Sequence, residues 1–505
     1  MSGWIGDLRL RRWVFRCVAH GGFLCLFPLF HAQEPSTISI HWDKPVLVSK
    51  TTPTLQVVVN PPLRPGQPLG GAAYRALKDL GADYVRYVPW LPYPKLAVAE
   101  LDAPTKDKTS WDFSLIDPMM KDFLEATEGH PAVINFSTMP AWLFKTGAAV
   151  TYPTDPDQVE WNYTQGTELR DPTGKDLGDY YSRLVSWYVN GGFTDENGAA
   201  HTSGYHYKLP IWEVLNEPEY EHATTPEQYT ARYDAIVAGI RRASPDMKFM
   251  GMVLATPREV PGYFEYFLNR ANHAPSIPLD YISYHFYATP VAGQDVESWQ
   301  YTFFDQATGF VNSVRYIEQI RKRLSPDTKT SVNEAGSILP IDNSPQDNIP
   351  PPARYWNLSG ALFAHLFIEL SKLQIDIVGE SQLVGYPTQF PSVSMMNWQT
   401  NQPNARFWVL KLLKDAFHPG DTLADTSVGS PDSANISAQA FITPAGHALL
   451  LVNRRNRALD MVLPDADKAS VLTVDEMSGE SPARTVKPAG GRLRLEPFAV
   501  TVVKW

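Results

Sequence analysis

The chain is predicted to be an α/β protein, a (β/α)8 TIM barrel with an accessory antiparallel β-sandwich domain. Three observations predict this. Eight short apolar runs between residues 55 and 379 alternate with segments of helical period. Alternating βα units make a parallel sheet with helices outside, and eight of them close into a barrel. Two of the runs end on a carboxylate, in Asn216-Glu217-Pro218 and in Asn333-Glu334. The C-terminal rim of a barrel is where reactive side chains sit. After Pro419-Gly420 the texture changes to short β-like runs separated by Gly, Pro, Asp and Asn. That is the pattern of a small antiparallel domain.

The elements follow in chain order. Residues 1–32 read as a secretory signal, with Arg9, Arg11, Arg12 and Arg16 ahead of an apolar stretch at 22–30 and Ala32 before a cut. That stretch is well short of the ~20 residues that span a bilayer. A secreted or periplasmic location is expected, with no membrane association in the mature form. Residues 33–54 hold strand-like stretches punctuated by Pro45 and Pro53, which can join the β-sandwich. The barrel is assigned to 55–420. Its strands are placed at 55–60, 83–88, 132–137, 209–216, 248–253, 281–286, 328–334 and 375–379. Helices are expected at 72–80, 115–127, 177–189, 226–243, 310–324, 356–373 and 404–417. Segments 145–175, 190–208 and the proline-rich 338–353 are rim loops that shape a cleft. Residues 421–505 form the β domain, with runs at 436–442, 447–452, 461–463, 471–475, 493–495 and 500–505.

Composition narrows the function. A chain of 505 residues with 44% hydrophobic content can bury a large core. Both cysteines, Cys17 and Cys25, lie in the signal. The mature chain then has no thiol for disulfides, nucleophilic catalysis or metal binding. The signal carries four Arg against one Asp, so its removal takes the net charge from −10 to −13. An acidic chain without a basic run is a poor partner for nucleic acid or an anionic membrane. The 14 Trp, 23 Tyr and 23 Phe suit a carbohydrate partner, whose flat C–H faces stack on rings. Most of these rings belong in the core. Oligomeric state leaves no mark in the sequence.

The two strand-end carboxylates carry the chemistry. Two glutamates across the mouth of one barrel are the equipment for hydrolysing a glycosidic bond. Glu217 is the candidate general acid and then base. Glu334 is the candidate nucleophile and must stay ionised, so it needs donors or a positive partner. Arg86, at the end of the second strand, is placed to supply the charge, and Tyr287 a phenol hydrogen bond. Asn216 is placed to donate to a sugar 2-hydroxyl. Nucleophilic attack requires carboxyl groups ~5–5.5 Å apart and gives net retention, whereas inversion requires ~6.5–9.5 Å. Asn-Glu-Pro alone is a weak motif, since a helix N-cap followed by an acid reads the same way. His201, His206 and His222 lack the His-Glu-x-x-His spacing of a metal site, so no metal is expected. No phosphate-cradling loop or dinucleotide fingerprint occurs, and no cofactor is expected.

Three stretches resemble a known family: Trp111-Asp-Phe-Ser-Leu-Ile-Asp117, Phe136-Ser-Thr-Met-Pro-Ala-Trp142 and Trp212-Glu-Val-Leu-Asn-Glu-Pro218. They resemble glycoside hydrolase family 39, the β-xylosidases and α-L-iduronidase, within the clan of retaining β/α-barrel glycosidases. The resemblance covers roughly residues 55–420 and implies a trailing β domain. It matches Glu217 to the acid/base, Glu334 to the nucleophile and Asn216 to the residue beside the acid/base. Arg86, His285, Tyr287 and Trp142 match positions on the substrate side. There are departures. The family's xylosidases follow the Arg of strand two with an aromatic and a His, but here the run is Arg86-Tyr87-Val88. Glu380 falls about where a Trp is expected at the end of strand eight. It is therefore expected to accept hydrogen bonds from sugar hydroxyls or to pair with an Arg, with Tyr386 or Trp398 supplying the missing ring. The implied function is a secreted retaining glycosidase, β-xylosidase-like. The alternatives are an endo-acting exopolysaccharide hydrolase and a non-catalytic glycan-binding protein on the same scaffold.

Overall fold

The computed structural model describes residues 35–161, 163, 166–343 and 350–505. The segment read above as a signal, with both cysteines, lies outside the described residues. Eight parallel strands close into a barrel in sequence order. They are Thr52–Val58, Val85–Val88, Ala132–Ile134, Ile211–Glu213, Lys248–Leu254, Tyr281–Ala288, Lys329–Ser337 and Ile377–Glu380. Among the described residues, eight α-helices accompany them: α1 (Pro68–Leu80), α2 (Asp117–Ala126), α3 (Lys175–Val189), α4 (Pro226–Ala243), α5 (Gly262–Phe267), α6 (Trp299–Leu324), α7 (Ala353–Lys372) and α8 (Ala405–Ala416). Among the described residues, no helix is long and apolar enough to cross a membrane.

Local chemistry explains the clear boundaries. α4 starts at Pro226 behind a Thr225–Gln228 capping box and ends on Arg241 and Arg242, which suit the negative end of the helix dipole. α1 starts on Pro68 and stops at Gly81, whose φ of +58° is the left-handed cap that glycine adopts without strain. α6 begins well before 310, because Trp299, Phe303, Ala307 and Phe310 continue its buried stripe toward the N-terminus. The short α5 was not foreseen.

The barrel interior is layered. Val133, Ile211, Met250, Tyr281 and Ile377 form an apolar plug toward the N-terminal ends of the strands. Nearer the C-terminal ends come buried polar residues, among them Arg86, Asn135, Glu213, Ser283 and Asn333. The fourth strand pairs regularly only over Ile211–Glu213, shorter than the apolar run suggests. Beyond it the backbone turns through positive φ at Leu215 (+65°) and Glu217 (+40°). Side chains with a Cβ seldom occupy that region, so this turn is held by its surroundings. It aims Asn216 and Glu217 into the mouth.

Segment 190–208 does not shape the rim. It folds into a hairpin, Gly192–Thr194 with Ala200–Thr202, that packs on α3. Ser186 Oγ donates to Gly192 O at 2.7 Å and Arg183 Nε to Thr194 O at 3.1 Å. Its turn is set by Asp195, which accepts the N–H groups of Asn197 and Ala199, and by Gly198 at φ +82°.

Strand Ser36–Val48 and the strands from Thr422 onward form one nine-stranded sheet that curls around its own core of Ile38, Leu449, Leu451, Met461, Val471 and Leu493, among others. Strand Ser36–Val48 lies inside it, third from one edge. It runs antiparallel to Thr422–Val428 and, at Ser36–Thr37, parallel to Leu459–Val462. Its register shifts between His41 and Pro45. Such irregularities bend a strand and let a sheet curl over itself.

The other face of this sheet shares the barrel's core. Phe441 packs against Phe417, with ring centroids 4.4 Å apart, and lies 6.5 Å from Phe367 of α7. Leu450, Val452 and Val502 belong to the same apolar cluster. Deleting residues 421–505 strips that cover and leaves Ser36–Val48 as an unpaired edge. The deletion is expected to yield insoluble or unfolded protein. A soluble truncated chain with a cooperative melt and full activity would refute this structural role.

Candidate active site

Arg86 organises the mouth of the barrel. Its side chain is buried, and its Nη1 donates to Glu334 Oε1 and to Gln56 Oε1, each at 2.5 Å. Nη2 donates to Asn216 Oδ1 at 2.6 Å, and Nε to Glu213. A guanidinium presents fixed donors in one plane, so one side chain sets the position of four acceptors.

Glu334 lies near the rim end of the seventh strand. Besides Arg86, its Oε2 accepts the Tyr287 hydroxyl at 2.7 Å, with His285 Nδ1 at 3.6 Å. Burial pushes this carboxyl up, but His285, Arg86 and Tyr287 together outweigh it and hold Glu334 below the ordinary glutamate range. Glu217 accepts from His285 Nδ1 at 2.9 Å, and its side chain keeps 24% exposure. For His285, burial works against the charged ring, but the charges of Glu334 and Glu217 prevail and raise its pKa. Burial, with the Glu334 charge next, drives the Tyr287 phenol far up, so it acts as a donor. Tyr287 also bonds Ser381 Oγ at 2.5 Å, which accepts from Gln56 at 2.7 Å.

Glu217, His285 and Glu334 each bring one ligand atom within 4.8 Å of the others. That spacing would suit a cation, but the donor set does not. One oxygen of Glu334 already carries the Arg86 guanidinium, whose charge opposes a metal ion there.

The carboxylates open on a cavity of about 170 Å³. Gln56, Asn216, Tyr287 and Gln382 give it polar walls, and Val58, Val88, Ile338 and Val393 apolar ones. Trp90 and Phe390 complete the lining, with ring centroids 5.6 Å apart. Trp161, from the 145–175 loop, sits 5.5 Å from each of them.

The sequence signature of glycosyl hydrolases family 39 matches residues 70–351, more than half of the chain. This chain is a member of that family. Residues 433–503 match the C-terminal immunoglobulin-like domain of D-apionate lactonase. No curated protein sequence matches the chain. Among solved structures, the chain is similar to the GH51 arabinofuranosidase of Xanthomonas axonopodis pv. citri, with TM-score 0.63 and 12% identity over 93% of this chain and 99% of that one. It is also similar to the α-L-arabinofuranosidase of Thermotoga maritima, with TM-score 0.59 and 14% identity over 93% and 99%. A GH30 endoxylanase of Clostridium papyrosolvens gives TM-score 0.55 and 12% identity over 93% and 99%. At these identities the likeness is one of fold.

Of the residues singled out in the sequence, this family-39 barrel brings Glu217, Glu334, Asn216, Arg86, His285 and Tyr287 together. Glu380, Tyr386, Trp142 and Trp398 lie elsewhere. Glu380 is fully buried and accepts from Arg406 Nε at 2.8 Å, so it contacts no sugar. Strand parity is the reason. Ser381 faces inward to Tyr287 and Gln56, so its neighbour Glu380 faces the helix layer. The residue that reaches the cavity from this strand end is Gln382. Tyr386 does not line the cavity, and its hydroxyl bonds that of Tyr93. Trp142 donates its Nε1–H to Glu100 O at 2.9 Å, away from the cavity wall. Trp398 lies in a different cleft. Of the histidines, His201 pairs with Asp195 and His222 is buried beside Phe144.

Glu380→Ala is therefore expected to leave KM unchanged. It strands the fully buried Arg406 guanidinium, and breaking a buried pair costs about 3–5 kcal/mol. A lowered melting temperature with unaltered KM is the expected result. A large rise in KM without destabilisation would restore a sugar-binding role.

Other site residues escaped the sequence reading. Glu213 is fully buried and accepts from Arg86, from Asn135 at 2.7 Å, from Ser283 at 2.8 Å and from Asn333 at 2.5 Å. A charged residue inside an apolar run was its signal. Glu221 accepts from Trp90 Nε1 at 2.5 Å and Asn216 Nδ2 at 2.8 Å. Burial, then the Glu217 charge, pushes it up to about 8. At neutral pH it is thus mostly a neutral acid that fixes Asn216 and Trp90. Trp90 follows the second strand directly, which was legible, whereas Phe390 had no local signal.

Proposed function

We propose that the protein is a retaining glycoside hydrolase working by double displacement, with Glu217 as acid/base and Glu334 as nucleophile. One observation carries this reading: an oxygen of each carboxyl lies within 4.8 Å of the other. That closeness suits a direct attack, for which carboxyls ~5–5.5 Å apart are usual, and leaves too little room for the water of an inverting mechanism.

In the first step Glu217 gives its proton to the glycosidic oxygen. The bond from that oxygen to the anomeric carbon breaks, and Glu334 bonds to that carbon. Glu217 is then a base. It takes a proton from water, the hydroxyl displaces Glu334 from the anomeric carbon, and the sugar leaves. Arg86 and Tyr287 fit Glu334 for both attack and departure by stabilising its charge. The Asn216 amide nitrogen is held by Glu221 beside the cavity, and its second N–H remains for a sugar hydroxyl.

The substrate is proposed to be a pentose-containing glycan processed one unit at a time. The small cavity with its Trp90–Phe390 wall supports this. Secretion or periplasmic export is proposed from the signal-like residues 1–32. The test is a panel of aryl pentosides and hexosides, arabinoxylan and bacterial exopolysaccharides, with product sizes resolved over time. Monosaccharide released from the start supports the reading. A ladder of long fragments would replace it with endo action, and no turnover on any member would favour a glycan-binding protein.

A further inference from the structure

A second cleft, of about 500 Å³, lies between the starts of α7 and α8 and a turn of the β domain. Trp356 of α7 forms one wall. Trp398, in the small hairpin Met396–Asn397 with Gln402–Pro403, contributes another. Both are half-buried, and neither indole N–H donates to a protein group among the described residues. Asn357 also lines the cleft at 5% exposure, and its amide nitrogen has no protein partner.

The cleft is built rather than incidental. Glu480 of the β domain accepts from Asn397 Nδ2 and, at 3.0 Å, from Thr400 Oγ1, and its backbone oxygen accepts Trp408 Nε1–H at 2.9 Å. These bonds tie the β domain to α8 and to the hairpin that carries Trp398. Aromatic faces beside fixed amides and carboxylates recognise the alternating C–H faces and hydroxyl edges of a sugar chain. The cleft carries the acidic side chains Glu476 and Glu480, and its lining cation, Arg354, is paired with Glu297, so on this acidic chain an anionic polymer is disfavoured.

Position links the cleft to the chemistry. α7 and α8 follow the seventh and eighth strands, so their starts lie at the same rim as the catalytic cavity. Ile338, Gln382, Phe390 and Val393 of the cavity wall come from the same two strand-to-helix connections. We infer that this cleft is a second glycan-binding site, which holds an uncharged polysaccharide chain while one of its units occupies the catalytic cavity. The choice of ligand rests on the glycosidase reading. Two points of attachment raise the effective concentration of polymer at the catalytic centre without altering the chemical step.

The test uses the full chain carrying Glu334→Gln, so that bound glycan is not cleaved, on an array of neutral plant and bacterial glycans that includes arabinoxylan and xylohexaose. Adding Trp398→Ala or Trp356→Ala is expected to weaken polymer binding at least tenfold. Trp398→Phe should retain part of it. In the chain with Glu334 intact, the same Trp substitutions should leave kcat/KM on a cleaved aryl glycoside unchanged and lower turnover of the polymer. Polymer binding that is indifferent to both Trp substitutions, or no array glycan bound at all, overturns the inference. Hydrolysis with Trp-independent binding removes this site alone. Trp-dependent binding without hydrolysis of any glycoside removes the catalytic reading and leaves this site standing.

Discussion

Glu334→Ala abolishes turnover of every glycoside while leaving the fold intact. This is the largest effect expected of a single substitution here. The loss should be roughly 10⁴-fold or more, the scale on which enzymes respond to removal of a nucleophile. Glu217→Ala behaves differently. On poor leaving groups it should lose on the order of 10²–10⁴-fold, the usual worth of a general acid. On activated aryl glycosides the first step needs no proton, so the glycosyl-enzyme still forms. Azide then separates the two roles by stereochemistry. In Glu217→Ala it attacks the glycosyl-enzyme and gives a glycosyl azide of retained configuration. In Glu334→Ala it stands in for the missing carboxylate and gives the inverted azide in one displacement. Proton NMR of the first-formed product of the unaltered chain should show the retained anomer. An inverted first product would sink both assignments, and so would identical azide products from the two variants.

Arg86→Met should be nearly as damaging, through stability as well as rate. Arg86 is the cation between Glu213 and Glu334, and both carboxylates are buried. Removing one partner of a buried pair costs about 3–5 kcal/mol, because the remaining charge is left without compensation. Here two carboxylates are left. The sign of the pH effect follows from Glu334, whose pKa in the folded chain is depressed. Such a carboxyl stabilises the fold above its unfolded pKa, and that contribution is lost as pH falls through the folded value. Without Arg86 the depression is reduced, so protonation begins at higher pH. The acid limb of kcat/KM should move upward, and the melting temperature should fall most at pH values where Glu334 is ionised. Arg86→Lys, which keeps charge but not the planar fork, should recover part of the stability and little of the rate. An unmoved acid limb in a folded Arg86→Met chain would show that Glu334 owes its ionised state to His285 and Tyr287 alone.

The sequence alone determined the barrel, its eight strands and the two carboxylates. These properties are local. A buried parallel strand is a continuous apolar run, a helix has a period, and Pro218 behind Glu217 marks a strand end. Arg86, Asn216, His285 and Tyr287 were reachable for the same reason, since each belongs to one of these apolar strand runs or directly follows it. Only the tertiary structure decided which side chains meet. The parity at Ser381 turns Glu380 outward to Arg406, and a run of residues cannot reveal parity where a strand dissolves into a loop. Glu213 was hidden because its four partners come from four other strands, none adjacent to it in sequence. The aromatic wall joins Trp90 to Phe390 across 300 residues, and the second cleft needs the β domain's Glu480 beside α7. Barrel closure and domain docking bring such residues together, and the sequence shows in advance only the strands that make closure possible.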